Sequence, residues 1–427
     1  MFPYIDNWIE PLLNFLFYYP LFMAYLWMVG ALYYFFRFEW RRGGVEEVPQ
    51  LPSYPPVSIL IPCHNEGDNV EDTVAAALAQ KYPNFDVIAI NDASKDETGA
   101  ILHRLAEQHP RLRVLHFPVN QGKAMGLRMA ALASPNEFLI CIDGDAMLDP
   151  HATTWIMHHF VTGARVGAVT GNPRIRTRST LLGKIQVGEF SAIIGMIKRA
   201  QRIYGRVFTV SGVVSAFRKS ALHKVGYWNV DMVTEDIDIS WRLQINHWDI
   251  RYEPNALCWI LMPETFKGLW KQRLRWAQGG AETAVRYLGP LWRWKSRRMW
   301  PVAIEFTVSV LWSYTMLLVA VLWCYGLFRP LPSYLQVPSM VPGWPGAVLG
   351  MTCLLQFAVS LHIDGRYEKG LGRGYFWMVW YPLFYWTINL FTTIVAVPKA
   401  LFKRRGTRAI WVSPDRGVAE RAGGEAS

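Results

Sequence analysis

An α/β domain with a mostly parallel sheet, embedded between α-helical transmembrane segments, is the fold class this sequence predicts. Two observations predict it: apolar runs long enough to cross a bilayer stand near both ends, and the region between alternates short apolar runs with amphipathic stretches. Composition points the same way. Of 427 residues, 52% are apolar and 20 are tryptophan, more apolar and aromatic than an ordinary soluble domain, and length alone allows two or three domains. The 44 Lys and Arg against 33 Asp and Glu give a formal charge of +11. With no nucleic-acid-binding motif present, that excess suits anionic lipid or a phosphorylated substrate rather than nucleic acid. Cys63, Cys141, Cys258, Cys324 and Cys353 are far apart, with no metal-ligand spacing, and read as reduced residues.

Taken in order, residues 1–47 read as an N-terminal anchor spanning about 11–38, "PLLNFLFYYPLFMAYLWMVGALYYFFRF". This exceeds the roughly 20 apolar residues that cross a bilayer, and no basic region precedes it as a secretory signal requires. Asp6 and Glu10 lie before it, and Arg37, Arg41 and Arg42 close and follow it, so the positive-inside rule places the next region in the cytoplasm. The proline-rich "VPQLPSYPPV" (48–57) leads into a domain over 48–262. There "VSILIP", "FDVIAIND", "LRVLHF", "EFLICIDGD" and "VGAVTGN" read as strands, and "DNVEDTVAAALAQKY" as a helix with acidic residues in its first turn. Ligands in such sheets bind at the carboxyl ends of the strands, where the acidic residues sit.

Residues 263–298 form an interfacial amphipathic region, and 299–402 a C-terminal transmembrane region with candidates near 299–327, 335–362 and 375–402. Three crossings starting from the cytoplasm would leave the basic tail (403–427, with "KRRGTR") outside, against the positive-inside rule. Two or three crossings are therefore expected, and 375–402, with Pro382 and Pro398, is the segment that could lie in the interface instead.

Three acidic motifs carry the chemistry. Asp92 ends "VIAIND", Asp143 and Asp145 end "FLICIDGD", and Glu235 and Asp236 lie in "MVTEDIDISWRLQ". Any one alone is as readily a loop carboxylate or a helix cap; three at strand ends in one α/β domain favour a site. The Asp-x-Asp turn lets Asp143 and Asp145 converge on a hard cation, Mg²⁺ or Mn²⁺, whose other ligands are commonly a diphosphate. Lys123 in "NQGKAMGL" suits a phosphate contact or simple solvation, and Glu66 is counted among the substrate-binding candidates. Asp236 reads as a general base, because a sugar hydroxyl attacking an activated carbon must lose its proton; the plainer reading makes Thr234 a cap and "TED" a helix start. In "KQRLRWAQGG", Gln272, Arg275 and Trp276 fall at i, i+3 and i+4 of a helix, presenting an amide, a guanidinium for a leaving diphosphate and an indole for a pyranose. A helix lying on lipid headgroups explains the same pattern.

Asp92, the Asp143-x-Asp145 pair, "TED" and "QRLRW", in that order between membrane segments, resemble the processive membrane-embedded glycosyltransferases of family 2, with a Rossmann-like GT-A domain. Within that family "VTGNPRIRTRSTLLGKIQVGEF", "MVTEDIDISWRLQ" and "ALCWILMPETFKGLWKQRLRWAQGGAE" are similar to the bacterial synthases of poly-β-1,6-N-acetyl-D-glucosamine, over at least 57–300 and more loosely to the ending "WVSPDRG". The resemblance implies that Asp92 contacts uridine and Asp143 the nucleotide, that Asp145 holds the divalent cation, and that Asp236 is the base. Gln272, Arg275 and Trp276 would bind the diphosphate and the acceptor end. It implies a bacterial inner-membrane enzyme that polymerises N-acetylglucosamine from UDP-N-acetylglucosamine with inversion and passes the biofilm exopolysaccharide across the membrane.

It also implies a small membrane partner subunit and activation by cyclic di-GMP at the interface, with no separate regulatory domain in this chain. The arginines of "NPRIRTRS" and of "IKRAQRIYGR", among them Arg199, Arg202 and Arg206, suit that nucleotide or lipid phosphate equally. Related synthases can carry a further apolar segment before the first one here. The alternatives are another family 2 synthase of the cellulose, chitin or hyaluronan type, a relative that transfers one sugar to a lipid carrier, and a silent nucleotide-binding gate of a polysaccharide channel. "QRLRW" argues against single transfer, and a silent gate has no need of a base at Asp236.

Overall fold

Short, fully buried apolar runs are what a sheet covered on both faces requires, and each of the five read from the sequence is a strand in the computed structural model. The structure describes residues 8–339, 343–404, 406 and 408. The strands are β1 (Val57–Cys63), β2 (Phe85–Asp92), β3 (Leu112–Phe117), β4 (Phe138–Ile142), β5 (Met147–Leu148), β6 (Val166–Ile175), β7 (Val214–Arg218) and β8 (Asp249–Ile260). They form one sheet in the order β3-β2-β1-β4-β7-β6-β8-β5. β1 pairs in parallel with β2 and β4, β2 with β3, and β6 with β8; β7 runs antiparallel between β4 and β6, as does the edge strand β5 against β8. Ile59, Ile61, Val87 and Ile140 pack on one face, and Leu60, Ile88, Ile90 and Leu139 on the other.

Among the described residues, three helical segments are long and apolar enough to cross a membrane: Ile9–Glu39, Trp294–Phe328 and Trp344–Asp364. The apolar stretch 375–402 is not among them. It breaks into a 3-10 stretch, Leu371–Trp380, a π turn that begins at Pro382, and a helix, Thr387–Phe402. Proline removes a backbone donor and opens the helical ladder, which is why apolar length alone misleads here. The chain then returns to the α/β domain, where Lys403 Nζ donates to the carbonyl of Asp231 and to Glu282. At the other end Trp8 N–H donates to the carbonyl of Tyr334, in the loop between the second and third spans. Lys403 and Arg408 thus lie on the side of the sheet, which removes the conflict with the positive-inside rule. The "WVSPDRG" ending lies outside the described residues.

A buried ion cluster ties the membrane segments to the sheet. Arg199 makes hydrogen bonds of 2.7 and 3.0 Å to Glu39, where the first span ends, and one of 2.8 Å to Asp364, where the third ends. Arg174 of β6 pairs with the other oxygen of Asp364 at 3.0 Å, and Tyr367 donates to Glu39 at 2.6 Å. Arg202 and Arg206 both pair with Asp249. The expectation that Arg199 could bind a cyclic dinucleotide is corrected by this arrangement: it is 1% exposed and its guanidinium is already neutralised.

Candidate active site

The site assembles at the carboxyl end of β4, around Lys123. A helix begins at that residue, and its ammonium lies 2.6 Å from Asp143 and 3.1 Å from Glu235 and donates to the carbonyl of Gly212 at 2.9 Å. Burial alone would lower its pKa, but Asp143 and Glu235 outweigh that and hold it above the ordinary lysine range. Gly212 leaves room for the next carboxylate, since a Cβ there would stand 3.0 Å from an Asp236 oxygen. Burial, and then the charge of Glu235, push Asp236 up to about 6, while Lys123 and Arg275 pull the other way. A carboxylate poised near neutrality is what a general base needs.

Asp145 shares the turn after β4 with Asp143, closed by the hydrogen bond from Ala146 N–H to the Asp143 carbonyl. A Cβ at Gly144 would lie 3.1 Å from Glu66, so that side chain packs against the same turn. Among the described residues no three His, Cys, Asp or Glu side chains stand together as a complete metal site. A divalent cation nevertheless suits the donors: Asp143 and Glu235 pair with Lys123, the charge of Asp236 reaches it, and Asp145 stands in the adjoining turn, while Mg²⁺-type sites commonly use one or two carboxylates completed by substrate phosphates.

Asp92 ends β2, beside the loop that leads into Lys123. It is fully buried, and its two oxygens accept the backbone N–H groups of Gln121 and Gly122 at 2.6 and 2.8 Å. Its two oxygens thus hold the 120–122 loop, with Gly122 at φ +84°, and so help to aim Lys123. Thr234 is not a side-chain cap either. Its buried hydroxyl makes no hydrogen bond and lies where a Cβ at Gly279 would approach to 1.9 Å. That contact belongs to the long helix Phe266–Leu291, capped by Thr265, which carries "QRLRW".

On that helix Arg275 is exposed and its charge reaches Asp236, whereas Trp276 is half-buried against Phe190 with the Arg273 guanidinium 4.4 Å from its ring centre. Arg273, which the sequence reading passed over, is buried and paired with Glu189 at 2.5 Å. Gln272 reaches Met262 with its amide nitrogen, while its buried oxygen has no hydrogen-bond partner. The structure thus groups Lys123, Asp143, Glu235 and Asp236 directly, adds Glu66 and Asp145 through the β4 turn and Arg275 through its field, and sets Gln272 and Trp276 on the inner side of the helix.

Lys198 was also missed. It is buried, donates to Thr170 at 2.8 Å, and is lowered to about 7 by burial against an opposing pull from Asp236. Thr170 in turn accepts the N–H of Ser211, next to Gly212. No local pattern separates this lysine from a solvated one. Gly279 did leave a signal, a glycine pair inside an otherwise helical stretch. Gly279→Val is expected to lower the activity of this site at least tenfold, since overpacking costs about 1–3 kcal/mol or more and the helix must move away from "TED". Gly289→Ala, with nothing within 4 Å, should be silent in the same assay.

This sheet, its clustered carboxylates and its flanking apolar helices define a glycosyltransferase. Residues 55–279 match the family described as "Glycosyltransferase like family 2", and the chain belongs to that family of hexosyltransferases. At the particular level, it is 40% identical over 418 residues to the poly-β-1,6-N-acetyl-D-glucosamine synthase of Staphylococcus epidermidis RP62A, covering 96% of this chain and 99% of that one. It is equally 40% identical over 410 residues to the synthase of the same name from Staphylococcus aureus MSSA476, covering 96% and 99%. A mannosyltransferase from Pyrobaculum calidifontis, solved with GDP-Man and Mn²⁺, shares the GT-A fold at a TM-score of 0.63 and 18% identity, over 92% of this chain and 97% of that one.

Proposed function

We propose that this chain is a processive, inverting synthase that builds poly-β-1,6-N-acetyl-D-glucosamine from UDP-N-acetylglucosamine at the bacterial inner membrane, its catalytic domain cytoplasmic. The observation that carries the reading is Asp236, pushed up to about 6 and set across Gly212 from the Lys123–Asp143–Glu235 group. The 6-hydroxyl of the acceptor sugar attacks C1 of the donor, its proton passes to Asp236, and the C1–O bond to the diphosphate breaks on the opposite face. Asp143 and Asp145 would hold Mg²⁺ or Mn²⁺, which supplies charge neutralisation for the leaving diphosphate. Arg275 adds a planar fork for phosphate oxygens at the pocket's edge. Likeness to the staphylococcal synthases supports the sugar and the linkage, and Arg37, Arg41 and Arg42 beside the first span support the orientation. By resemblance, the reading includes a small membrane partner subunit and activation by cyclic di-GMP, through groups other than Arg199.

Membranes containing the chain, given UDP-N-acetylglucosamine and Mg²⁺ with and without the partner and cyclic di-GMP, should release UDP and form polymer that a β-1,6-specific hexosaminidase cleaves. UDP release with only a single-sugar product would end the processive reading. Arg275→Lys should lower kcat/KM roughly ten- to a hundredfold in this assay, because a hydrogen bond to a charged group contributes about 1.5–3 kcal/mol and lysine cannot replace the fork.

A further inference from the structure

Lys198 is a buried titratable group that the transfer step leaves unused. It opens the helix Lys198–Tyr204, is 5% exposed, and donates to Thr170 Oγ1 at 2.8 Å. Among the described residues no carboxylate forms an ion pair with it. Burial against a neutral acceptor is a poor place for an ammonium and lowers this group to about 7, with the charge of Asp236 opposing. Such a residue costs stability, and its neighbours show what it does in return.

The Thr170 oxygen that takes the ammonium also accepts the backbone N–H of Ser211 at 2.8 Å. Next along the chain, Gly212 offers its carbonyl to Lys123 at 2.9 Å, and a Cβ there would stand 3.0 Å from an Asp236 oxygen. The preceding residue is held from the other side. Val210 N–H donates to Ser240 Oγ at 2.8 Å, and that hydroxyl donates to the Asp236 carbonyl at 2.6 Å. Residues 210–212 therefore form a wall between Asp236 and Lys123, fastened at one end to the helix of Asp236 and at the other to β6 through Thr170. Lys198 itself stands on a fixed platform: its neighbour Arg199 is bound to Glu39 and Asp364, and a Cβ at Gly30 of the first span would lie 2.9 Å from Ala200. With one lone pair of the Thr170 hydroxyl taken by the ammonium and the other by Ser211, that hydroxyl has a single orientation. Without the ammonium it is free to turn, and the wall loosens.

We propose that Lys198 is a positioning residue for sugar transfer, setting Ser211 and Gly212, and through them Asp236, by fixing the Thr170 hydroxyl. The inference rests on the reading of Asp236 as the base. A reacting group displaced by a fraction of an ångström loses rate, and buried hydrogen bonds behind it prevent that.

The test uses the full chain in lipid discs. Lys198→Met keeps the length of the side chain and removes its donor. UDP release from UDP-N-acetylglucosamine should fall roughly ten- to a hundredfold in kcat, with the donor KM unchanged because Lys123 keeps Asp143 and Glu235. Amide hydrogen exchange, followed by mass spectrometry, should quicken over 208–214 and stay as it was over β1 and β2. The melting temperature should not fall, since a buried charge has given way to an apolar side chain. Thr170→Val should reproduce the loss, Thr170→Ser should keep activity, and Lys198→Met with Thr170→Val should cost no more than the worse single change. Full turnover in Lys198→Met, a loss carried by KM alone, or losses that multiply in the double variant would overturn the inference. If Lys198→Met melts lower, Thr170→Ser against Thr170→Val decides, and equal turnover in those two overturns it. An unmodified chain that releases no UDP refutes the donor reading instead, and exchange over 208–214 then supports or overturns the hold of Lys198 on the wall.

Discussion

Asp236→Asn lowers sugar transfer by roughly 10²–10⁴, the loss expected on removing a general base, while UDP-N-acetylglucosamine still binds. Rapid-quench measurement of UDP release, with nucleotide binding followed separately, separates the two. The pH dependence has a definite sign. The base works deprotonated, and because burial and Glu235 push Asp236 up to about 6, activity should fall as pH drops through that value. Near-normal synthesis by the variant would refute the assignment. Stability runs the opposite way. The folded chain holds this proton more tightly than the unfolded chain, so the group costs stability as pH rises from its ordinary 3.8 to about 6. Asp236→Asn should therefore melt no lower than the unmodified protein at neutral pH, which marks the aspartate as kept for chemistry.

Arg199→Met is expected to cost about 3–5 kcal/mol, since removing one partner of a buried ion cluster strands the others. Here the stranded group is Glu39, essentially inaccessible to water, while Asp364 is left with Arg174 alone. The readout is the unfolding temperature in detergent and the yield of membrane-inserted protein. Adding Glu39→Gln to the same chain should recover part of the loss, because the uncompensated charge goes with it while Asp364 keeps Arg174. Arg202→Ala makes a fair contrast. Its partner Asp249 is more than a quarter exposed, and such pairs contribute about 1 kcal/mol or less. An Arg199→Met protein as stable as that control would show that the cluster does not hold the membrane segments to the sheet.

The buried strands were legible because parallel sheets covered on both faces demand continuous apolar runs, and β1, β2 and β4 comply. β7 and β8 were not singled out: polar residues interrupt "VSGVVSAFRK" and "DIRYEPNALCWI", and it is pairing with β6 that makes them strands. The carboxylate motifs could be read as a group because each sits where a strand or helix end must place it. What each does with its lone pairs could not. Asp92 spends both oxygens on its own backbone and Thr234 turns to a glycine forty-five residues away, facts that only tertiary packing decides. Lys198 and the Arg273–Glu189 pair were invisible for the same reason. A basic residue in an amphipathic stretch gives no local sign of whether it meets water or a buried acid.

The glycine pair in the long helix has one more consequence. Gly279 abuts Thr234, and at the next residue a Cβ would stand 3.1 Å from Phe306 of the second span. One side of the helix is thus geared to the catalytic motif and the other to a segment whose tilt follows the bilayer. Lipids that are too long or too short are accommodated by tilting such segments, and through this contact a tilt alters the spacing between Arg275 and Asp236. Membrane thickness thereby becomes a rate variable, and the same enzyme should run at different speeds in bilayers that differ only in acyl-chain length.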